Sequence, residues 1–103
     1  MAVAFNKLVR DKIPDIIKAK GETPVTRILD DSEYRLRLEA KLTEEVAEYL
    51  ESKELEELAD ILEVLYALAE AAGHSKEDLH NAQKAKNGSR GGFEKKILLI
   101  SKE

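Results

Sequence analysis

The sequence predicts an all-α fold, a small helical bundle with minor extended segments. Three observations support this prediction. Apolar residues recur at intervals of three and four, residues that cap helices stand before these repeats, and glycines follow several of them. The whole chain of 103 residues is expected to form one domain over residues 1–103.

The first predicted helix is short. Asp11 can cap its start, Pro14 is tolerated near a helix start, and Gly21 ends the helix. The chain then breaks at a Thr-Pro pair, and residues 25–29 are expected to form a brief extended piece.

Two longer helices follow in the middle of the chain. The sequence Asp30–Glu33 places an acid three residues after a cap, so it opens a helix that runs to about Glu51. Ser52 is expected to cap the next helix, over Lys53–Ala72. Leucine, isoleucine, valine and alanine cover well over half of that helix, so we expect it to be central in the bundle or buried by a second subunit.

The last helix begins at the capping box Ser75–Asp78 and is predicted to end near Lys86. A loop over Asn87–Gly92 follows. Phe93–Ile100 reads as an apolar, strand-like tail that can pair with residues 25–29.

Length and charge limit the functions and partners that this chain can have. A chain this short buries only a modest fraction of its surface, so help from a partner copy, as a homodimer or homotetramer, is expected. The formal net charge is −4 and aromatic residues make up 5% of the chain, which argues against a nucleic-acid polymer or an anionic membrane surface as the main partner.

Two absences limit the functions that this chain can have. The chain has no cysteine, so it has no disulfide framework, thiolate nucleophile or zinc-cysteine site, and a reducing cytoplasm suits it. No apolar run is long enough to span a bilayer, and the amino end does not read as a signal peptide.

The most informative feature is a symmetric set of acids. Glu45 and Asp60 lie equally far from the Ser52–Lys53 junction, and so do Glu48 and Glu57. If the chain bends there, the two acids of each pair sit level across antiparallel helices packed about 8 to 10 Å apart. Hard oxygen ligands in this arrangement favour Mg²⁺, Mn²⁺ or Ca²⁺ over zinc.

The competing interpretation is an ordinary solvated face. With 37% of residues charged, acids three residues apart arise by chance on helix surfaces. Two symmetric pairs are rarer, and the stripe of Glu57 and Asp60 continues into apolar residues, which indicates a face packed against protein. Glu44 is a further candidate, as an extra ligand or as the base for a metal-bound water. Glu56, beside the cluster in the same way, is assigned either a structural role or one in supporting the metal ligands.

Basic residues concentrate near both ends of the chain. The first group precedes the first helix and the second flanks the glycine-rich segment. Lysine and arginine side chains near carboxylates that hold a metal are a combination that binds polyphosphates. The candidate phosphate ligands are Lys7, Arg10, Lys12, Lys84, Lys86 and Arg90. His74 and His80 fall outside the acid set. We expect them to cap a helix or to be exposed to solvent.

The residues Lys41–Glu48 followed by Glu56–Leu62 resemble the EExxE…ExxD signature of the all-α nucleotide pyrophosphohydrolases, the MazG and phosphoribosyl-ATP pyrophosphohydrolase superfamily. The flanking segments Lys7–Pro14 and Lys84–Phe93 resemble the phosphoribosyl-ATP pyrophosphohydrolase-like branch of MazG-like proteins. The similarity covers nearly the whole chain.

This resemblance implies an oligomeric, Mg²⁺-dependent enzyme of the nucleotide house-cleaning kind. Its substrate would be a nucleoside triphosphate or phosphoribosyl-ATP, cleaved between the α and β phosphates to a monophosphate and pyrophosphate. Mn²⁺ is a possible substitute for Mg²⁺. The resemblance assigns the metal to Glu45, Glu48, Glu57 and Asp60, catalytic assistance to Glu44 and Glu45, and the phosphates to the basic residues. Ala85 stands where MazG proper has a phenylalanine, and Phe93 is a candidate to replace it.

Three hypotheses therefore stand. The first is the pyrophosphohydrolase, and the second is a metal-dependent nucleotide-binding or regulatory module with little turnover. The third is a helical oligomerisation domain whose acids are only solvated. Pyrophosphate release from a nucleotide panel separates the first from the others, and a metal-dependent shift in melting temperature separates the second from the third.

Overall fold

A computed structural model describes residues 5–103 and contains four helices there. They are α1 (Ile13–Ala19), α2 (Asp31–Ser52), α3 (Leu55–Ala71) and α4 (Lys76–Arg90). The predicted all-α class is confirmed. Within the described residues, no helix combines the length and apolarity that crossing a bilayer requires.

Helices α2 and α3 form the predicted hairpin. They are joined by Lys53 and Glu54 alone, and Lys53 adopts a left-handed backbone with φ of 60° that turns the chain back. Because the connection is so short and the helices pack together, they run antiparallel. The expected cap at Ser52 is wrong: α3 starts two residues later than predicted, with Glu54 at the N-cap position. Ser52 Oγ instead accepts a hydrogen bond from the Glu54 backbone N–H at 3.2 Å.

Two predicted helix starts are confirmed by their hydrogen bonds. The Asp30 side chain accepts from the Glu33 backbone N–H at 2.8 Å, which caps α2. Ser75 and Asp78 form a reciprocal capping box at the start of α4. Each satisfies backbone N–H groups that a helix start leaves without an internal partner.

Helix α1 lies near the predicted position but starts differently. Lys12, and not Asp11, occupies the N-cap, and no side chain caps the helix. Pro14 stands in the first turn as expected. Gly21 has a φ of 84° and follows the helix end, as predicted.

Helix α4 is longer than predicted, and the expected loop over Asn87–Gly92 is wrong for its first four residues. The helix runs on to Arg90 and ends where Gly91 takes a φ of 81°, a conformation that favours glycine. Gly88 is accommodated because a single glycine weakens a helix without breaking it. Helix α4 packs on α3 and makes no contact with α2.

The predicted extended pairing does not form. Residues 25–29 are irregular, the predicted tail Phe93–Ile100 begins with a turn and continues as irregular chain, and no strand occurs in the part of the chain that the structure describes. A strand requires a partner for its backbone N–H and C=O groups, and neither segment finds one among residues 5–103.

The core is small for a chain of this length. Leu38 on α2 and Val64 on α3 are its buried apolar residues. The Cα radius of gyration is 18.1 Å, and the molecule measures 63 × 32 × 24 Å. A compact domain of about 100 residues has a radius of gyration near 13 Å. The fold is therefore an elongated helical hairpin with α4 packed on α3, whereas α1 packs on no other described helix, and much of the apolar surface is exposed.

Candidate metal centre

Three carboxylates converge between α2 and α3. Glu45, Glu57 and Asp60 each offer an oxygen, and these oxygens all lie within 4.8 Å of one another. Glu57 and Asp60 are three residues apart on α3, so they share one face, and the hairpin brings Glu45 opposite to them. The symmetric spacing about the bend correctly predicted that these three acids meet.

Glu45 is the centre of this group. The residue is only 6% exposed, and its Oε2 is buried without a hydrogen-bond partner. Its other oxygen, Oε1, lies 3.4 Å from Lys41 Nζ. A buried charged oxygen without a partner is unfavourable, because its lost hydration is not replaced. Such an atom, on a side chain that clusters with two more carboxylates, fits a cation ligand better than it fits a structural role.

The electrostatics of Glu45 follow from this placement. Burial raises the pKa of the Glu45 carboxyl above its ordinary value, and the side chain of Glu48 raises it further. Lys41 acts in the opposite direction and only in part offsets these effects. The metal-free site is therefore short of positive charge.

Glu48 lies beside this group and not within it. The mutual 4.8 Å separation joins three acids and excludes Glu48, which is exposed. Its influence on the pKa of Glu45 nevertheless shows that the two side chains are neighbours. Its assignment as a ligand stays a prediction.

Glu44 faces a different set of partners. Its Oε1 accepts a hydrogen bond from Lys7 Nζ at 2.8 Å, and its Oε2 lies 3.7 Å from Lys41 Nζ. The bond from Lys7 lowers the pKa of the Glu44 carboxyl, and the same contact raises the pKa of Lys7. Glu44 is thus an ionised carboxylate at neutral pH, with its basicity reduced by Lys7.

The basic segment before α1 reaches the acids. Lys7 contacts Glu44 on α2, and Arg10 Nη2 lies 2.7 Å from Asp60 Oδ1 on α3. Lys12, in contrast, is exposed and forms no ion pair within residues 5–103. Two of the three predicted cations at this end therefore neighbour the acid cluster in the folded chain.

The second basic group lies apart from these contacts. Lys84, Lys86 and Arg90 are exposed on α4, and no ion pair among the described residues involves them. Because α4 does not touch α2, one chain does not pack this group against Glu44 or Glu45. Phe93, the candidate for base stacking, is also fully exposed after α4.

Lys41 is a site residue that the sequence analysis left out of its candidate set. It contacts both Glu44 and Glu45 from one turn earlier on α2. The signal was present in the sequence, since a lysine three and four residues before two acids lies on the same helix face.

The histidines have roles outside the site. His80 Nε2 lies 2.8 Å from the Tyr66 hydroxyl, which links α4 to α3. His74 Nδ1 lies 3.9 Å from Asp78 in the first turn of α4. The placement of both outside the acid group agrees with the sequence-based expectation.

A shallow cleft of about 390 Å³ lies beside the basic segment. It is bounded by Asp11, by Tyr34 on α2, and by the later part of α3, including Glu63 and Glu70. Its position next to Arg10 in the sequence places an open, polar-lined space near the Arg10–Asp60 contact.

Comparison with known proteins finds a relative that matches part of the chain and shows no family. An uncharacterised protein of Mycolicibacterium smegmatis is 62% identical to this chain over 42 residues, which is 41% of this chain. The match covers 43% of that protein, less than half of its length. No family model matches the chain, and no solved structure matches it.

Proposed function

We propose that this chain is a Mg²⁺-dependent nucleotide pyrophosphohydrolase. The observation that carries the proposal is a buried oxygen of Glu45 that lacks a partner, on a side chain that belongs to a group of three carboxylates. Two cations from the segment before α1 border this group. The signature resemblance to MazG-like proteins supports the same reaction, cleavage of a nucleoside triphosphate or phosphoribosyl-ATP between its α and β phosphates.

In this proposal Glu45, Glu57 and Asp60 hold the metal, and Glu48 joins them from the next turn of α2. The donor set consists of carboxylate oxygens, which suits Mg²⁺ or Mn²⁺. When bound, Mg²⁺ supplies charge neutralisation for the polyphosphate and makes water more acidic.

Lys7 and Arg10 are the proposed first contacts of the phosphates. Each now pairs with a carboxylate at the edge of the cluster, so each is already positioned within one side-chain length of the acids. A metal at the cluster would reduce the need for these pairs and leave both cations available to phosphate oxygens. Lys12 and the α4 residues Lys84, Lys86 and Arg90 stay predicted phosphate ligands by resemblance.

Glu44 is the proposed general base. While Lys7 donates to it, its pKa is lowered and it is a weak proton acceptor. Movement of Lys7 to a phosphate would remove that effect and return Glu44 toward ordinary carboxylate basicity. Substrate binding and base activation would thus be linked through one lysine.

The cleft beside Asp11 offers a place for the nucleoside. Tyr34 lines it and provides a ring face, while Glu63 and Glu70 provide hydrogen-bond acceptors for a sugar or base. Its acidic lining would repel phosphates, which favours a substrate oriented with its phosphates toward Lys7 and Arg10.

The enzyme is proposed to act as a cytoplasmic homodimer or homotetramer. The chain exposes 9384 Å², whereas a compact monomer of 11.6 kDa exposes about 5,800 Å². The excess is large compared with the roughly 800 Å² that each partner buries in a typical stable interface. Leu58, Leu62 and Leu65 form an exposed apolar stripe on α3 that a second copy would cover.

The decisive experiment is a substrate panel. Purified protein is incubated with canonical and modified nucleoside triphosphates and with phosphoribosyl-ATP, each with Mg²⁺, and pyrophosphate and monophosphate are quantified. The expected result is equimolar monophosphate and pyrophosphate from at least one substrate, abolished by a chelator. Orthophosphate as the sole product, or no product from the whole panel, would contradict the proposal.

The alternative is a nucleotide-binding regulatory module with little turnover. The Arg10–Asp60 pair favours this candidate, because Arg10 is bound to Asp60, a proposed metal ligand, in the metal-free chain. Stabilisation by Mg²⁺ with a nucleotide, without product formation, would support it. A protein whose melting temperature responds to neither metal nor nucleotide would instead be a helical oligomerisation domain with solvated acids.

A further inference from the structure

Two irregular segments of this chain expose apolar side chains, and their backbones pair with no other residue that the structure describes. The backbone of residues 25–29 makes no hydrogen bond to other described residues, and Val25 and Ile28 are 97% and 96% exposed. Residues 97–100 likewise make none, and their four apolar side chains are 78–89% exposed. Unpaired backbone with apolar side chains is the property of a free strand edge.

From this arrangement we infer that residues 97–100 of one copy pair as a strand with residues 25–29 of a second copy. The inference concerns assembly and does not depend on nucleotide chemistry. Strand addition of this kind satisfies the backbone groups of both segments and removes their apolar side chains from water.

The charges beside the two segments are complementary. Glu22 precedes residues 25–29, and Asp30 and Asp31 follow them. Lys95 and Lys96 precede residues 97–100, and Lys102 follows them. Glu94 and Glu103 also lie within three residues of this second segment, so its flanks carry three lysines and two acids, a net charge of +1. The three acids beside residues 25–29 give a net charge of −3, so a net attraction remains in either strand direction.

Local structure prepares both segments for pairing. Arg27 donates two hydrogen bonds to Glu33 on α2, at 3.0 and 2.7 Å, which ties the first segment to a helix. The backbone N–H of Lys96 donates to Phe93 O at 3.1 Å, forming a turn directly before residues 97–100. Segments positioned in advance lose less conformational entropy when they pair.

A second copy is the occupant that the surface area favours. The exposed area of one copy exceeds that of a compact monomer by about 3,500 Å², well above the roughly 800 Å² that each partner buries in a typical stable interface. Residues 25–29 and 97–100 do not pair within one chain in this structure, although both are present. Reciprocal pairing in a twofold dimer would use each segment once in each copy.

Single-cysteine crosslinking tests this inference, since the chain has no native cysteine. One chain carries Thr26→Cys, and a second, longer by an affinity tag, carries Leu98→Cys. A disulfide between them can form only between copies. The matched control replaces Leu98→Cys with Glu77→Cys, on the exposed surface of α4. We expect the first mixture to crosslink at least about tenfold faster than the control, because pairing raises the local concentration of the thiols.

Two results would overturn the inference. One is equal crosslinking in both mixtures. The other is an intramolecular disulfide in the double variant Thr26→Cys/Leu98→Cys, at all dilutions, with none between single-cysteine chains. A Leu99→Asp variant, at an exposed position, adds a further measurement by light scattering and circular dichroism. It should retain the helical signal and lose the rapid crosslink, and unchanged crosslinking would also count against strand pairing.

Discussion

Arg10 and Asp60 form an ion pair of 2.7 Å across 50 positions of sequence. This contact ties the segment before α1 to the acid cluster on α3. Because Asp60 is one of three clustered carboxylates, Arg10 supplies positive charge at the place where a metal would supply it. Binding of a metal and retention of this ion pair therefore compete for the same carboxylate.

The first prediction follows from that competition. Arg10→Gln should increase the affinity of the nucleotide-free protein for Mn²⁺ by up to about fivefold, since an exposed ion pair contributes up to about 1 kcal/mol. The same variant should lower nucleotide turnover, because Arg10 is a proposed phosphate contact. Calorimetric titration and pyrophosphate release measure the two effects. Arg35→Gln, at an exposed position on α2, is the control and should change neither. Identical metal affinities for the two variants would show that Arg10 does not compete.

The second prediction concerns Glu45. Glu45→Gln should raise the unfolding free energy of the metal-free protein by roughly 1 kcal/mol, because it removes a buried charge with an unpartnered oxygen. It should also remove most of the stabilisation by Mg²⁺. Thermal unfolding with and without Mg²⁺ measures both, with Glu39→Gln on the exposed surface of α2 as the control. A destabilised variant that still responds fully to Mg²⁺ would contradict the role of Glu45.

The third prediction concerns the α3 ligands. Asp60→Asn and Glu57→Gln should each lower turnover at least about a hundredfold, since metal ligation contributes several kcal/mol to transition-state stabilisation. Stability should change by less than about 1 kcal/mol, because the Arg10–Asp60 pair is exposed. Glu51→Gln, at an exposed position on α2 outside the proposed site, should leave turnover within about twofold of the original protein. Near-normal turnover in Asp60→Asn would remove this residue from the site.

The fourth prediction concerns pH. The raised pKa of Glu45 means that the folded state holds this proton more tightly than the unfolded state does. The ionised Glu45 carboxyl therefore lowers the free energy of unfolding at neutral pH. This free energy is recovered as pH falls through the raised pKa and the carboxyl becomes protonated. Metal affinity should fall over the same pH range, since the proton and the metal compete for one carboxylate.

The pKa shift of Glu44 has the opposite effect on stability. Its lowered pKa contributes stability above the ordinary carboxyl range, and that stability is lost as pH falls through the lowered value. Unfolding curves for Glu44→Gln and Glu45→Gln across acidic to neutral pH separate the two contributions. If both variants had the pH profile of the original protein, neither shift would matter for stability.

The fifth prediction concerns assembly. Leu62→Glu places a charge in the exposed apolar stripe of α3 and should dissociate the proposed oligomer. Light scattering measures the mass of the assembly, and circular dichroism checks that the helices persist. Glu63→Lys, at the adjacent exposed position, serves as the control for a changed charge. An original protein that is monomeric at all concentrations would rule out the oligomer itself.

The sequence alone determined the helices and the meeting of three acids. Capping residues, apolar spacing and glycines are local signals, so α2, α3 and the start of α4 were predicted within a few residues. The symmetric spacing of Glu45 and Asp60 about one bend was enough to place them together, because a short connection between helices permits little other than antiparallel packing.

The tertiary structure decided the rest. Arg10 meets Asp60 and Lys7 meets Glu44 through contacts between distant parts of the chain, which no local pattern specifies. Burial of Glu45, separation of α4 from α2, and the absence of strand pairing in residues 25–29 and 97–100 also depend on how whole elements pack. Local propensity acts over a few residues, whereas burial and charge pairing are set by the three-dimensional arrangement of all of them.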